Sequence, residues 1–359
     1  MKKVLTILLT LVIVFAVSSF GASAKETSKS VDAKGLIFEH LGDKYGWEVP
    51  FSHHLRIPLP VIVVDYKGNV HMFSSARVTG GDSYDGFKIP HEGPYKDKIV
   101  GEKPGANGTM VEYHPWDFSI TKNVFALIIS ALVVMFCTFS VVRWYKRNKM
   151  KAPRKGTAIM EALVEFIYTS VIKPTLGDQS KRFGPYLLTV FFFIFTMNLL
   201  GLMVIFPGGA NLTGNIAITM VLALCTFVIT NIFGTKHYWK EIFWPDVPWW
   251  LKVPLPIMPM IELFGIFTKP TALMVRLFAN MMGGHIIVIS LTLLIFIFGA
   301  FGAAIAGVTT VFSVAFSLFM LVIDTLISFI QAYVFTMLSA LFISLAQEGH
   351  KHKEVETEK

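Results

Sequence analysis

The chain has 359 residues, of which 53% are hydrophobic and only 16% are charged, with a formal net charge of +8. A soluble domain averages about 25% charged residues, and several apolar runs here reach the roughly 18–20 residues that a membrane-spanning helix needs. The composition excludes an ordinary soluble protein and predicts an integral membrane protein.

The N-terminus has the layout of a secretory signal peptide. Lys2 and Lys3 precede an apolar run over 4–17, and Ala22-Ser23-Ala24 follows in the A-x-A pattern of a cleavage site. We predict that residues 1–24 are removed and that the mature chain begins at Lys25. An uncleaved membrane anchor is the alternative, but the apolar core is short for a span.

Residues 25–118 are polar and are predicted to form a small exported domain, either α/β or β-containing. The stretch "LPVIVVDYKGNVHMFSS" (59–75) reads as two strands joined by a turn at Lys67-Gly68-Asn69. The histidines of this domain lack zinc-ligand spacing, so we expect no metal site. The sequence does not indicate what the domain does.

The first span is predicted over about 124–142, and a basic cluster follows it. The cluster contains no acid, and its members are Arg143, Lys146, Arg147, Lys149, Lys151, Arg154 and Lys155. Such a cluster could bind nucleic acid or lipid headgroups. A short basic loop on the cytoplasmic side of a span is the commoner explanation, so we expect no nucleic-acid partner and a span that runs from outside to inside.

A helix with one polar stripe is predicted next. Residues at every fourth position are polar from Thr157 to Lys173, while the remainder is mostly apolar. A helix of this kind is expected to lie in the cytoplasmic membrane interface and not to cross the bilayer. Pro174 and Gly177 should end it.

Four further apolar segments complete the membrane domain, which we place at 119–347, before a charged cytoplasmic tail at 348–359. Two of them, 185–206 and 215–233, are of ordinary span length and precede a loop at 234–255. The other two, about 257–297 and 306–346, are each longer than 55 Å as helices, by rough estimate. We expect them to form a tilted hairpin with its bend in the small residues of 299–307. The predicted fold class is thus an all-α polytopic membrane protein with five spans and one interfacial helix.

The hairpin carries ionisable groups at membrane depth. Between Pro270 and Gln347 the only full charges are Arg276 and Asp324, with His285 as a third titratable group. An arginine at the bilayer centre costs roughly 2.5–3.5 kcal/mol on insertion scales, and ionisable groups in spans commonly mark ion paths. In an antiparallel hairpin, residue numbers rise along one helix with depth and fall along the other, so two residues at the same depth have a constant sum of residue numbers. By this rule Arg276 lies at the depth of Gln331, and His285 lies at the depth of Asp324.

Three functions remain open on these residues alone. The polar groups could satisfy one another within a structural membrane anchor, or they could form the path of a stand-alone channel or secondary transporter. Transporters usually show internal repeats, and we find none between the halves of this chain. The third function is that of an ion-conducting subunit in a larger machine. A guanidinium stays protonated when buried, so Arg276 suits an electrostatic gate better than a proton relay.

The hairpin sequence resembles one known family. "FTKPTALMVRLFANMMGG" (267–284) and "SFIQAYVFTMLSALFISLA" (328–346), with a weaker match at "MNLLGL" (197–202), resemble subunit a of the rotary F-type ATP synthase. The resemblance covers about 119–347. The signal peptide and the exported domain lie outside the compact core of the family.

The resemblance implies a proton-conducting stator subunit in the bacterial inner membrane, with an exported N-terminal domain and a cytoplasmic C-terminus. Its partners would be the c-subunit ring, the b-subunit peripheral stalk, the rest of the ATP synthase and the lipid bilayer. It implies no cofactor, and ATP chemistry would lie on other subunits. Arg276 would separate two offset half-channels. The residues implied to line the proton path are Asn280, His285, Asp324, Gln331 and, on the cytoplasmic side, Glu262.

Overall fold

The computed structural model describes most of the chain. The described residues are 42–48, 56–78, 83–90, 93, 95–104, 110–148, 156–203, 209–244, 257–299 and 303–347. The predicted signal peptide at 1–24 and the predicted tail at 348–359 lie outside these residues. The described residues divide into two compact units, one comprising residue 42 with 282–299 and 303–326, and the other comprising the described residues of 43–281 and 327–347.

The N-terminal part of the chain forms short antiparallel sheets, as the β-containing prediction requires. One sheet has the strand order β4-β3-β8, a second has the order β5-β6-β7, and β1 pairs with β2. The strands are β1 Gly46–Glu48, β2 Arg56–Pro58, β3 Pro60–Val64, β4 Val70–Ser74, β5 Phe87–Lys88, β6 Val100–Pro104, β7 Met110–Tyr113 and β8 Trp116–Asp117.

The hairpin of β3 and β4 confirms the strand–turn–strand prediction at 59–75. Val61 and Val63 alternate with more exposed neighbours and are fully buried, as a half-buried strand requires. Backbone hydrogen bonds from Asp65 N to Asn69 O and from Gly68 N to Asp65 O, both 2.9 Å, close the turn. Gly68 has a φ of 85°, a conformation that residues with a side chain rarely adopt.

These sheets are attached directly to the first long helix, α1 (Lys122–Arg147). The Lys122 amide donates to the Lys44 carbonyl at 2.9 Å, and the Asn123 amide donates to Asp43 Oδ1 at 3.1 Å. These two bonds satisfy amides at the helix N-terminus that have no partner within the helix. Trp47, only 2% exposed, also packs edge-on against Phe125 with ring centroids 5.9 Å apart.

The second helical stretch contains the predicted polar-striped helix. It begins as α2 (Gly156–Ile167), widens by one π-helical turn over 168–172, and continues as α3 (Lys173–Leu176). Gly177 then takes a φ of 54° and ends the helix as predicted, whereas Pro174, which was also predicted to end it, lies inside α3. After one 3₁₀ turn, α4 (Ser180–Leu202) follows.

A bent pair of helices comes next. Helix α5 (Ile216–Ile232) is followed after three residues by α6 (Lys236–Phe243), and the two axes differ by 101°. The sequence analysis treated this region as part of a loop. The side chain of Thr235 accepts a hydrogen bond from the Tyr238 amide at 3.3 Å and caps α6.

Two very long helices complete the fold, as the sequence predicted. Helix α7 (Ile257–Gly299) has 43 residues and α8 (Ala303–Gln347) has 45, so each is roughly 65 Å long. Residues 303–307 of the predicted bend belong to α8, and residues 300–302 lie outside the described part. Among the described residues, four helical stretches are long and apolar enough to cross a membrane, or up to five if α5 and α6 form one span.

Candidate functional site

Arg276 lies on the outer surface of α7. On another side of this helix, a stripe of buried side chains packs it against neighbouring helices. The buried side chains are Ile266, Leu273, Leu277 and Met281. Arg276 lies outside this stripe and is exposed, as are Ala272 and Ala279. Within the described part of the chain, no hydrogen bond or ion pair reaches the guanidinium. The charge is therefore directed away from the rest of this chain.

One turn beyond Arg276, a hydrogen bond joins the two long helices. Asn280 Nδ2 donates to Gln331 Oε1 at 2.6 Å. Gln331 is 4% exposed, and its Nε2 has no hydrogen-bond partner among the described residues. Counting along the hairpin matched Gln331 in depth with Arg276, and the hydrogen bond joins Gln331 to Asn280, one turn further along α7. A depth estimate from residue numbers fixes the turn only approximately, whereas the side-chain rotation decides which residue makes the contact.

Asn198 links three elements behind this pair. Its Nδ2 donates to the Ser328 carbonyl of α8 at 3.4 Å, and its Oδ1 accepts from Thr213 Oγ1 at 2.7 Å. Thr213 belongs to the turn between α4 and α5, and both it and Asn198 are buried. Asn198 therefore has the role of a polar cross-link that fixes α8 against α4.

His285 and Asp324 belong to the other compact unit. A Cβ atom added to Gly284 would lie 2.8 Å from Asp324 Oδ1 and 3.0 Å from Asp324 Cγ, so the carboxylate touches the backbone of α7 at this level. His285 is the next residue and is half-buried, while Asp324 is 8% exposed. The predicted depth match between His285 and Asp324 therefore agrees with the contact between α7 and α8.

Glu262 lies near the start of α7. It is half-buried, and its carboxylate acts electrostatically on the hydroxyl of Tyr238 in α6. It precedes Arg276 by 14 residues, which corresponds to about 21 Å along a helix. Tyr238 was not predicted as a neighbour of Glu262, although Thr235, a residue type that favours the N-cap position, precedes its helix.

Metal binding receives no support from the part of the chain that the structure describes. In that part, no three His, Cys, Asp or Glu side chains lie together in a way that could hold an ion. Cys137 and Cys225 are free thiols on separate helices.

The fold and the polar groups along its two longest helices define a polytopic helical membrane protein. A family model described as ATP synthase A chain matches residues 124–344, and a model described as a domain of unknown function matches residues 36–118. The ATP synthase subunit a of Chlorobium phaeobacteroides is 41% identical over 249 residues, which is 67% of this chain and 69% of that protein.

Two further relatives carry the same description. The ATP synthase subunit a of Myxococcus xanthus is 44% identical over 248 residues, covering 66% of this chain and 76% of that protein. The ATP synthase subunit a 2 of Prosthecochloris aestuarii is 39% identical over 294 residues, covering 79% of this chain and 86% of that protein. The last match is longer than the stretch 119–359, so it includes part of the N-terminal domain.

The chain belongs to the ATP synthase A chain family, the subunit a family of F-type ATP synthases. Subunit a is the proton-conducting stator subunit of the membrane sector, and it has no catalytic site of its own. It works with the c ring and the b-subunit stalk, and it is a multi-pass protein of the bacterial inner membrane.

Proposed function

We propose that Arg276 is the electrostatic gate of this subunit and that it faces the carboxylate of the c ring. The observation that carries the proposal is an exposed guanidinium that makes no hydrogen bond or ion pair within the described part of the chain. Such a charge in a membrane needs an acidic partner, and the c ring supplies one. A fixed positive charge also holds a passing carboxylate ionised, which separates two offset half-channels.

The half-channel from outside is assigned to Asn280, Gln331, His285 and Asp324. The amide pair of Asn280 and Gln331 provides polar groups one turn from the gate. The approach of Gly284 to Asp324 supports an acid and an imidazole at one level of the hairpin. Histidine exchanges protons near neutral pH, so His285 and Asp324 can pass a proton between them.

The half-channel to the cytoplasm is assigned to Glu262. Its carboxylate is half-buried and lies about 21 Å along α7 from Arg276. A half-buried carboxylate at this end of the helix can accept the proton that the ring releases.

The topology we propose has five spans. Residues 1–24 are a signal peptide, 25–118 form a periplasmic domain, 119–347 form the membrane domain, and 348–359 form a cytoplasmic tail. The helix at 157–173 lies in the cytoplasmic interface, and the last two spans form a tilted hairpin. The basic residues at the end of α1, Lys146 and Arg147, favour a cytoplasmic position for that end.

Replacing Arg276 tests the gate. We expect Arg276→Ala to abolish ATP synthesis and ATP-driven proton pumping in inverted vesicles while the subunit still assembles. Arg276→Lys should also fail, because an ammonium loses its proton when desolvated whereas a guanidinium does not. Arg182→Lys is the matched control, since Arg182 stacks on Phe183 and Phe233 away from the proposed path. A native pumping rate in Arg276→Ala would contradict the proposal.

Exchanging the acid and the imidazole tests the outer half-channel separately. His285→Ala and Asp324→Ala should each slow pumping and change its pH dependence. The double change His285→Asp with Asp324→His should restore more activity than either half of the exchange alone, because the pair then keeps one acid and one imidazole. A double exchange no better than the worse single change would argue that the two residues do not share a path.

A further inference from the structure

A pocket with a largely apolar lining and a few polar groups lies between α5, α6, α7 and α8, within about two turns of Arg276 along α7. Its cavity volume is about 20 Å³, and it is open to the surroundings. The residues that matter most in its lining are Phe227, Thr230, Asn231, Tyr238, Lys269 and Phe342. None of them has been assigned to the proton path above.

Lys269 gives this pocket a positive charge. The side chain is half-buried, and Nζ lies 5.8 Å from the centroid of the Phe342 ring. In the part of the chain that the structure describes, its ammonium contacts that ring but no carboxylate. A half-buried ammonium without a counter-ion is unfavourable, so this pocket is suited to an anion.

The neutral polar groups of the pocket already bond to one another. Thr230 Oγ1 donates to the Thr226 carbonyl at 2.8 Å, and Asn231 Nδ2 donates to the Phe227 carbonyl at 2.7 Å. The Tyr238 hydroxyl donates to Asn231 Oδ1 at 3.5 Å, a long and weak bond that a stronger acceptor can replace. Lys269 and Tyr238 can therefore both donate to a ligand.

The surroundings of the pocket resemble a membrane interface. Helix α6 leaves α5 at 101° and carries exposed Lys236 and Lys240, together with Trp239 and the Trp244 that follows it. Lysine and tryptophan are the residues that favour the headgroup level of a bilayer.

The exposed aromatic surface beside the pocket favours one source of phosphate. Phe267 stacks on Phe227 with centroids 5.8 Å apart and is itself exposed, as is Phe264 one turn earlier. Acyl chains can cover these rings while a phosphate reaches Lys269, whereas a free phosphate ion would leave them uncovered. Basic pockets between helices on the cytoplasmic side of membranes are known sites for anionic headgroups.

We propose that this pocket binds the phosphodiester headgroup of an anionic phospholipid from the cytoplasmic leaflet, with Lys269 as the anion-binding residue and Tyr238 as the second donor. The leaflet rests on the orientation proposed above, but the binding itself does not. The phosphate of the bound lipid neutralises Lys269 at the open mouth of the pocket.

Native mass spectrometry of the delipidated, purified ATP synthase tests this site without turnover. The complex is titrated with dioleoylphosphatidylglycerol, dioleoylphosphatidylcholine or inorganic phosphate, and the lipids retained on subunit a are counted. We expect one phosphatidylglycerol to bind at least about fivefold more tightly than phosphatidylcholine. Millimolar inorganic phosphate should not displace it.

Variants of Lys269 decide whether the pocket is responsible. Lys269→Gln and Lys269→Met should each weaken retention of phosphatidylglycerol about fivefold or more, while Lys269→Arg should keep it. Lys240→Gln is the matched control, since it removes an exposed charge of α6 that does not line the pocket. Equal retention in the Lys269 variants and the native complex would overturn the proposal, and so would displacement by phosphate alone. Because this experiment measures lipid retention and not proton pumping, neither result bears on the proposal that Arg276 is the gate.

Discussion

Adding one methyl group at Gly284 should disturb proton transport through Asp324. A Cβ atom there would lie 2.8 Å from Asp324 Oδ1 and 3.0 Å from Cγ and Oδ2, whereas ordinary contacts are 3.4–4 Å. The carboxylate or the helix must therefore move by several tenths of an ångström. Overpacking of this kind costs about 1–3 kcal/mol, and a change of 1.4 kcal/mol in a barrier alters a rate about tenfold. We expect Gly284→Ala to slow pumping by about tenfold or more.

Gly283→Ala is the control for this change. Nothing lies within 4 Å of a Cβ atom at Gly283, and both glycines are interior to α7. Both substitutions therefore bring the same gain in helix propensity, about 1 kcal/mol, and they differ in the contact with Asp324. The assay is ATP-driven acidification of inverted vesicles, normalised to the amount of assembled complex. If Gly284→Ala pumps as fast as Gly283→Ala, proton transport does not depend on the position of the Asp324 carboxylate beside Gly284.

Three further outcomes can be checked. Mass spectrometry of the N-terminal peptide should find Lys25 as the first residue, and an intact leader on the assembled protein would contradict the predicted cleavage. Trp47→Ala should destabilise the N-terminal domain by about 3–5 kcal/mol, which should make a protease cleave this domain from the membrane domain faster. Trp116→Ala is the control, because this side chain is 75% exposed and its loss should change little. Asn280→Ala should lower the thermal stability of the complex, because the buried Oε1 of Gln331 then loses its hydrogen-bond donor, at a cost of about 1–3 kcal/mol. Unchanged stability would mean that a water molecule replaces the Asn280 amide.

The long helices could be predicted from the sequence because their signal is local. No polar loop interrupts 257–297 or 306–346, and the helices end within a few residues of these limits. The end of the polar-striped helix was equally legible, since Gly177 supplies a positive φ that other residues avoid.

Contacts between residues that are distant in the sequence were harder to predict. Counting along an antiparallel hairpin gives depth but not rotation about the helix axis, so it found the level of Gln331 and missed Asn280 as its partner. The packing of Trp47 on Phe125 joins strand β1 to helix α1, and no periodicity encodes it. The pocket at Lys269 likewise depends on four helices and on the bend before α6, a region that was predicted from the sequence to be a loop.

The most direct test of the gate asks which face of α7 meets the c ring. In a complex without Cys137 and Cys225, a cysteine at Ala279, on the exposed side beside Arg276, is paired by oxidation with a cysteine next to the ring carboxylate. The control cysteine is placed at Leu277, which is fully buried against the rest of the subunit. The account predicts rapid disulfide formation for Ala279→Cys and none for Leu277→Cys. Equal cross-linking at both positions, or cross-linking at Leu277 alone, would contradict it.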